Sequence, residues 1–494
     1  MPSPITTYFS EAFNVNIRTI ERYDAFDISL VADLPLFVDP FLIFNSRRPR
    51  YRKLQKQIVR YLQFLYKKAK QQALTPPLIR AWYSFPEIKE NWLGFSQTGN
   101  QGRGLGPKFA GALHDNLGIL FRSGHKQRIT KGVHLEKLCL VSDRVGRDNI
   151  SDFTNNLIHR YLLEYTSTFA KKHIDRSLRR KVAVPKVKFN YQTETWASGV
   201  FELPVYNGHH VILTPRDLLT KEDTWINKTD LYEDFDRIPD AIPNDQLRQQ
   251  VSNFFRSLLP KPKKRRRIKR AERQAAVTAT IKRFPELIDY FIRDKENRGQ
   301  QATKLSGERV QTSEQLYVQQ IKELIGVLRD ATPFYSEEQN SFEAAHRRAL
   351  YLKDVIENKG GHRLFYLKGK PIEREADLHI MYRLTWHGTS MDVTTEANDG
   401  RGPADVKVSR GAKDKSLVEM KLASNSSLER NLKNQTAVYE RASDAQRSVK
   451  IILYFTKNEV LKVEKILKRL KLEGDSSIVL IDAMKDNKPS GSKA

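Results

Sequence analysis

Residues 449–456 read VKIILYFT, and this run constrains the fold more than any other stretch of the chain. Apolar side chains follow one another without the alternation of a half-exposed strand, the pattern of a strand covered on both faces. Its flanks supply the rest of a sheet and its covering helices. PIEREADLHIMYRLTW (371–386) reads as a helix, with Pro371 suited to its first turn and Ile372, Ala376, Ile380 and Leu384 four apart on one face. MDVTTEA, ADVKVS and SLVEMKL read as three short strands divided by DGRGP and RGAKDK turns. SSLERNLKNQTAVYERA (426–442) is a capped helix; a basic amphipathic helix near 458–472 and a last strand, SIVLIDA (477–483), follow VKIILYFT. The order is helix, three strands, helix, strand, helix, strand, an α/β unit placed at 358–484.

The 494 residues suit two to four domains. Residues 1–255 read as a mixed α/β domain. PLFVDPFLIF (35–44) is strand-like, and Leu54 to Leu74 has apolar residues at 58, 61, 62, 65 and 69, a helical spacing. A glycine-rich loop opens the stretch 99–121 and continues into a helix. Ser151 to Ile174 starts with a Ser–Asp cap and keeps a helical apolar face, and residues 200–219 form a hairpin about Asn207-Gly208. A basic, proline-containing linker (256–275), a helical connector (276–357) and a polar, disordered tail (485–494) complete the expected division of a multidomain α/β chain.

The chain carries 85 Lys+Arg against 58 Asp+Glu, a formal net charge of +27. An excess of that size repels itself unless a polyanion shares the surface, and nucleic acid phosphates are the commonest such partner. No run of eighteen or more apolar residues is present, so no membrane span is expected. The opening MPSPITTYFSEAF lacks the basic start and apolar stretch of a secretory signal. A single cysteine, Cys139, leaves no intramolecular disulfide and no thiolate metal cluster, and it reads as a buried core thiol. A reducing, cytoplasmic location is expected.

Chemistry concentrates in DGRGPADVKVSRGAKDKSLVEMK, residues 399–421. Strand alternation puts Glu419 and Lys421 on one side and Val418, Met420 and Leu422 on the other. Asp405 follows a Gly-Pro turn at the start of the neighbouring strand, where it can stand beside Glu419. Two close carboxylates repel, and a hard divalent cation relieves the repulsion through oxygen ligands. Such an ion polarises a phosphoryl oxygen and acidifies a bound water, and a lysine nearby orients that water or offsets the developing charge. The plain alternative is an exposed carboxylate–lysine pair on an edge strand.

Asp405 after Gly402-Pro403-Ala404, followed fourteen residues later by Glu419-Met420-Lys421, resembles the PD-(D/E)XK nuclease superfamily, the restriction-endonuclease-like fold. The resemblance spans about residues 350 to 483, and the alanine between proline and aspartate is its one departure. It implies an αβββαβ core and Mg²⁺ (or Mn²⁺) held by Asp405, Glu419 and the Met420 carbonyl, with Lys421 beside the nucleophilic water. It also implies an acid from the first helix, assigned here to Glu375 with Glu373 and Asp377 as neighbours, and a helix glutamine, Gln435, four before Tyr439. The resemblance therefore implies a metal-dependent endonuclease acting on DNA, with prokaryotic restriction or anti-phage defence as its setting. An inactive nuclease fold that only binds DNA, and a ribonuclease, are the alternatives. A homo-oligomer would suit double-strand cutting. Glu396 is open between a further site acid and a solvent-facing residue.

Nucleic-acid contacts are expected from the basic run LPKPKKRRRIKRAER (259–273), in particular Lys263, Lys264, Arg265, Arg266 and Arg267, and from Arg401 in the turn before Asp405. Arg103 and Lys108, near the glycine-rich loop, can also touch a backbone; no Gly-Lys-Ser/Thr follows, so the loop is not a P-loop. His209 and His210 are consecutive on a strand, face opposite ways and make poor partners for one metal.

Overall fold

Asp39 and Pro40 divide the stretch expected to be one strand. Leu36–Val38 pairs with Leu219–Lys221, and the chain then turns into a helix, Pro40–Asn45. Asp39 caps that helix by accepting from Phe41 N at 2.9 Å, and Pro40 fills its first position. These features belong to a computed structural model that describes residues 7–31, 33–71, 75–94, 105–121, 129–142, 145–221, 223–260, 268–336, 340–395, 406–411, 414–433 and 447–488. The fold is mixed α/β and multidomain. Among the described residues no helix is long and apolar enough to cross a membrane.

The N-terminal region is built on α1, Pro49–Gln71, whose Tyr51, Leu54, Ile58, Tyr61, Leu62 and Leu65 form one buried face. The helix expected from Ser151 is two helices, Arg147–Leu157 and His159–His173, broken at Ile158. Ser151 does not cap either one; its hydroxyl accepts from Val38 N at 2.9 Å. The Asn207-Gly208 hairpin is present, with φ of 48° and 82°, the left-handed pair such a two-residue turn requires. A longer hairpin was not anticipated: β1, Arg179–Asn190, pairs antiparallel with β2, Thr195–Tyr206, across a bulge between Val184 and Lys188. Cys139 is buried, and its thiol donates to Glu136 O at 2.8 Å.

The connector is helical as expected, and one of its helices, α2 (Leu287–Asn297), braces the N-terminal loop 129–134. Its last helix, α3 (Ser341–Asn358), lies against the C-terminal sheet instead of bridging to it. Ser341 Oγ donates to Asp414 Oδ1 at 2.6 Å at one end, and Glu357 Oε1 accepts from Asp482 N at 2.8 Å at the other. The sheet's unit thus begins at 341, ahead of the boundary at 358.

Helix α4, Glu375–Thr385, starts later than the pattern suggested, because Lys370–Pro371 forms a two-residue ribbon with Tyr366–Leu367. Its buried face is Leu378, His379, Met381, Tyr382, Leu384 and Thr385, so the expected stripe through Ala376 and Ile380 is a half-buried flank. Five strands follow: β3 (Asp392–Thr395), β4 (Val406–Arg410), β5 (Asp414–Leu422), β6 (Arg447–Tyr454) and β7 (Ile478–Asp482). They line up in the order β7-β6-β5-β4-β3. The first three are antiparallel; β5, β6 and β7 are parallel, so β5 is the central strand where the sheet changes direction. On one face Val418, Met420, Leu422, Val449, Ile451 and Leu453 pack into the main core with α3 and α4. On the other, Ala423, Ile452 and the start of the helix at 428 meet Val463, Ile466 and Leu467 of α5, Lys457–Leu470. VKIILYFT is thus covered on both sides, for the reason its unbroken apolar run indicated. Of the tail, residues 485–488 are described, and Lys488 pairs with Asp482 at 3.3 Å.

Asp33 is buried at the junction with α4. Burial and nearby Glu87 push its carboxyl up to about 8, with Arg383 of α4 acting against them. A carboxyl whose folded value is raised binds its proton more tightly in the native state, so stability falls as pH rises toward that value. Burial pushes His159 down to about 4, which gives the opposite slope, but only below its ordinary value of 6.5. Asp152, pushed up to about 7 by burial and Glu87, adds to the Asp33 effect in the lower part of the remaining window. Between about pH 6.5 and 8 stability is expected to drop by up to about 1.4 kcal/mol per unit from Asp33 alone, and by about 2.4 kcal/mol per unit near pH 6.5 where Asp152 adds to it. Asp33→Asn should flatten most of that dependence in urea titrations, and an unchanged slope would refute the assignment.

Candidate functional site

Central strand β5 carries Glu419 and Lys421 on one face, and both are buried, at 1% and 5% exposure. The plain alternative of an exposed pair on an edge strand is therefore removed. Glu419 pairs in register with Lys450 of β6, and Lys421 with Ile452. Lys450 is also buried and donates to Ser448 Oγ at 3.2 Å. Two buried ammonium groups thus share the face that holds Glu419, a concentration of charge that burial makes costly unless it is paired.

Val406 of β4 pairs with Val418 of β5. Further along β5, backbone groups of Met420 and Leu422 are met by side chains of α4. His379 Nε2 lies 2.7 Å from the Met420 carbonyl; a carbonyl only accepts, so this nitrogen carries the proton. Glu375 Oε1 accepts from Leu422 N at 3.0 Å and from Asn425 Nδ2 at 2.8 Å. Glu375 and His379 are four apart on the helix and so share one face. The other Glu375 oxygen stands 4.0 Å from Lys421 Nζ.

Four of the expected site residues, Glu375, Glu419, Met420 and Lys421, therefore meet at the end of β5. Of the three acids considered, Glu373 precedes α4 and is exposed, and Asp377 turns away: it accepts from Tyr317 OH and pairs with Lys221 at 3.1 Å. Asp405, Gln435, Glu396, Arg401, Arg103, Lys263, Lys264, Arg265, Arg266 and Arg267 lie outside the described residues. Asp405 directly precedes Val406, which pairs with Val418 of β5. Lys108 is exposed in the first turn of the helix Pro107–Phe121.

Sequence reading missed His379 and Lys450. Each left a signal. Glu375 and His379 are spaced to point at one strand, and Lys450 is the lone charge inside VKIILYFT.

The donors present suit a hard cation in kind. Glu419 and Glu375 offer carboxylate oxygens, the ligands Mg²⁺ and Mn²⁺ prefer. The Met420 carbonyl, expected to face the ion, already accepts one hydrogen bond and keeps one lone pair. Among the described residues no three His, Cys, Asp or Glu side chains converge as a metal-binding group.

Fold and site define a multidomain mixed α/β protein with a buried acid–lysine cluster on its last sheet. Residues 14–227 match a domain of unknown function, DUF8370, and residues 341–457 match a second one, DUF8371. The second match begins at the first residue of α3, where the sheet's unit begins. No curated protein and no solved structure matches the chain.

Proposed function

We propose that the C-terminal unit is a metal-dependent nuclease of the PD-(D/E)XK type, with a restriction-endonuclease-like core, that hydrolyses phosphodiester bonds in DNA. One observation carries the reading: Glu419 and Lys421 stand side by side on the central strand, and a second carboxylate, Glu375, reaches the same strand end 4.0 Å from the lysine. The element order supports it, since a helix, three strands, the start of a helix at 428 and a further strand follow in the sequence the resemblance implies.

Glu419, Glu375 and Asp405 would hold Mg²⁺ or Mn²⁺, with the free lone pair of the Met420 carbonyl as a further donor. When bound, the ion would polarise a phosphoryl oxygen and lower the pKa of a bound water. Lys421 would position that water or offset charge on the pentacoordinate phosphorus, and Lys450 adds a second cation on the same face. His379 holds the Met420 carbonyl in place. Gln435, Arg401 and the basic run 263–267 retain their proposed roles as a catalytic helper and backbone contacts. A cytoplasmic setting in restriction or anti-phage defence belongs to this reading through fold analogy. A homo-oligomer would allow both strands to be cut.

A second reading is favoured by the burial of Glu419 and Lys421 and by the hydrogen bond already on the Met420 carbonyl. In it the cluster is a structural ion network, and the domain binds nucleic acid without cutting. Purified full-length protein incubated with plasmid, linear duplex and labelled RNA separates these readings. Cleavage of DNA in Mg²⁺ that EDTA abolishes is the expected result. Retention without cleavage in Mg²⁺ or Mn²⁺ supports the inactive fold, and cleavage confined to RNA changes the substrate.

A further inference from the structure

Helix α1 contains eight Lys/Arg and no Asp or Glu in 23 residues. Seven of the eight are exposed, and six of these, Arg52, Lys53, Lys56, Arg60, Lys67 and Lys70, form one row. At 3.6 residues per turn they fall within an arc of about 100°, opposite the buried face. From Arg52 to Lys70 the row is about 27 Å long, close to eight base pairs of duplex at about 3.4 Å each.

A solvated helix face normally mixes signs, so that residues three or four apart attract. Here Arg52 and Lys56, then Lys56 and Arg60, repel at that spacing. Off the row, Lys68 pairs with Glu194 at 2.7 Å, Arg48 pairs with Asp24 at 2.9 Å and Asp217 at 2.8 Å, and Arg50 donates to Tyr51 OH at 3.1 Å. Among the described residues none of the six on the row has a carboxylate partner. Two are held by rings instead. Arg60 lies over Tyr191 at 4.1 Å and Lys70 over Tyr66 at 4.4 Å, contacts that order a cation without cancelling its charge. The exposed face carries no apolar anchor of the kind a membrane-surface helix uses.

We infer that this face of α1 is a docking track for the phosphate backbone of duplex DNA, within the region that matches DUF8370. The row is straight, uniformly cationic and left unneutralised by the chain's own acids, which matches a rod of regularly spaced negative charge. Its contribution is independent of base sequence.

The test is fluorescence anisotropy of a labelled duplex with full-length protein in EDTA, titrated between about 50 and 200 mM salt. Binding in EDTA requires no cleavage, so loss of the track and loss of the nuclease site are separate results. Arg52→Gln, Lys56→Gln and Arg60→Gln combined keep good helix formers on an exposed face. This variant should bind about 100-fold more weakly at low salt, and the slope of log K against log salt should shrink by about three. A control combining Lys457→Gln, Lys465→Gln and Lys468→Gln removes equal charge from α5 and should leave the slope nearly unchanged. An unchanged slope in the α1 variant, an equal fall in the control, or displacement of the duplex by polyglutamate at matched charge would each overturn the inference.

Discussion

Glu419→Gln protein will leave plasmid DNA intact in Mg²⁺ under conditions where the unaltered chain degrades it, a loss of at least about 10³-fold, or about 4 kcal/mol of transition-state stabilisation. The amide is nearly isosteric, so the strand keeps its packing while the hard anionic donor is lost. Glu419→Ala should be equally inactive but less stable, because it removes a buried carboxylate from the face that also carries the buried ammonium groups of Lys421 and Lys450. Lys421→Ala should lose about 10²- to 10³-fold, the usual cost of removing one cation aimed at developing charge. Glu375→Gln separates two roles of one side chain. Its amide oxygen can still accept from Leu422 N, so thermal stability should hold while cleavage falls. All four variants should retain duplex in EDTA. Wild-type rates in Glu419→Gln, or in both Lys421→Ala and Glu375→Gln, would remove the site assignment.

The largest expected effect on stability is at Glu296, far from that site. Its side chain is fully buried on α2, and its carboxylate gathers the loop 129–134. It accepts from Lys131 N at 2.8 Å to each oxygen, from Gly132 N at 3.1 Å and from His134 Nε2 at 2.9 Å. His134 sits against Phe41 and Phe44, so the contact also fixes the packing of the Pro40–Asn45 helix. Glu296→Ala would orphan three donors at once, the buried His134 Nε2 among them, at a cost of about 3 kcal/mol. A fall in melting temperature of roughly 10 °C is expected. Glu296→Gln, which keeps an acceptor, should fall by less than half of that. Hydrogen exchange should quicken first at residues 129–134, and a shift of only a degree or two in the alanine variant would rule out the clamp.

Much of the C-terminal unit was readable in advance because its signals are local. Alternation in SLVEMKL separates Glu419 and Lys421 from Val418, Met420 and Leu422 whatever surrounds the strand. The unbroken run in VKIILYFT requires cover on both faces. The N-terminal region was harder to read. Leu36–Val38 and Pro40–Asn45 share one apolar stretch, and only the Asp39 cap divides them. Ser151 has the look of a helix cap, but Val38 N recruits its hydroxyl. Strand β1 and the first residues of β2 escaped notice because lysines, a proline and a bulge break the alternation of β1. On α4 the apolar residues four apart suggested one face, while the packing of α3 and the sheet selected another, through Leu378, Met381 and Tyr382.

Side-chain chemistry on the site strand, the helix that must lie beside it and the cationic row on α1 follow from residue order alone, since each depends on the fixed periods of strand and helix. Which acid near the start of α4 reaches that strand was a tertiary decision. Helical spacing sets Glu375 apart from Glu373 and Asp377 but does not say which side meets β5. Glu375 accepts from Leu422 N, while Lys221 and Tyr317 draw Asp377 the other way. Contacts between residues more than a hundred positions apart have no local signature, because the energy that selects them exists only once the core has brought both partners together.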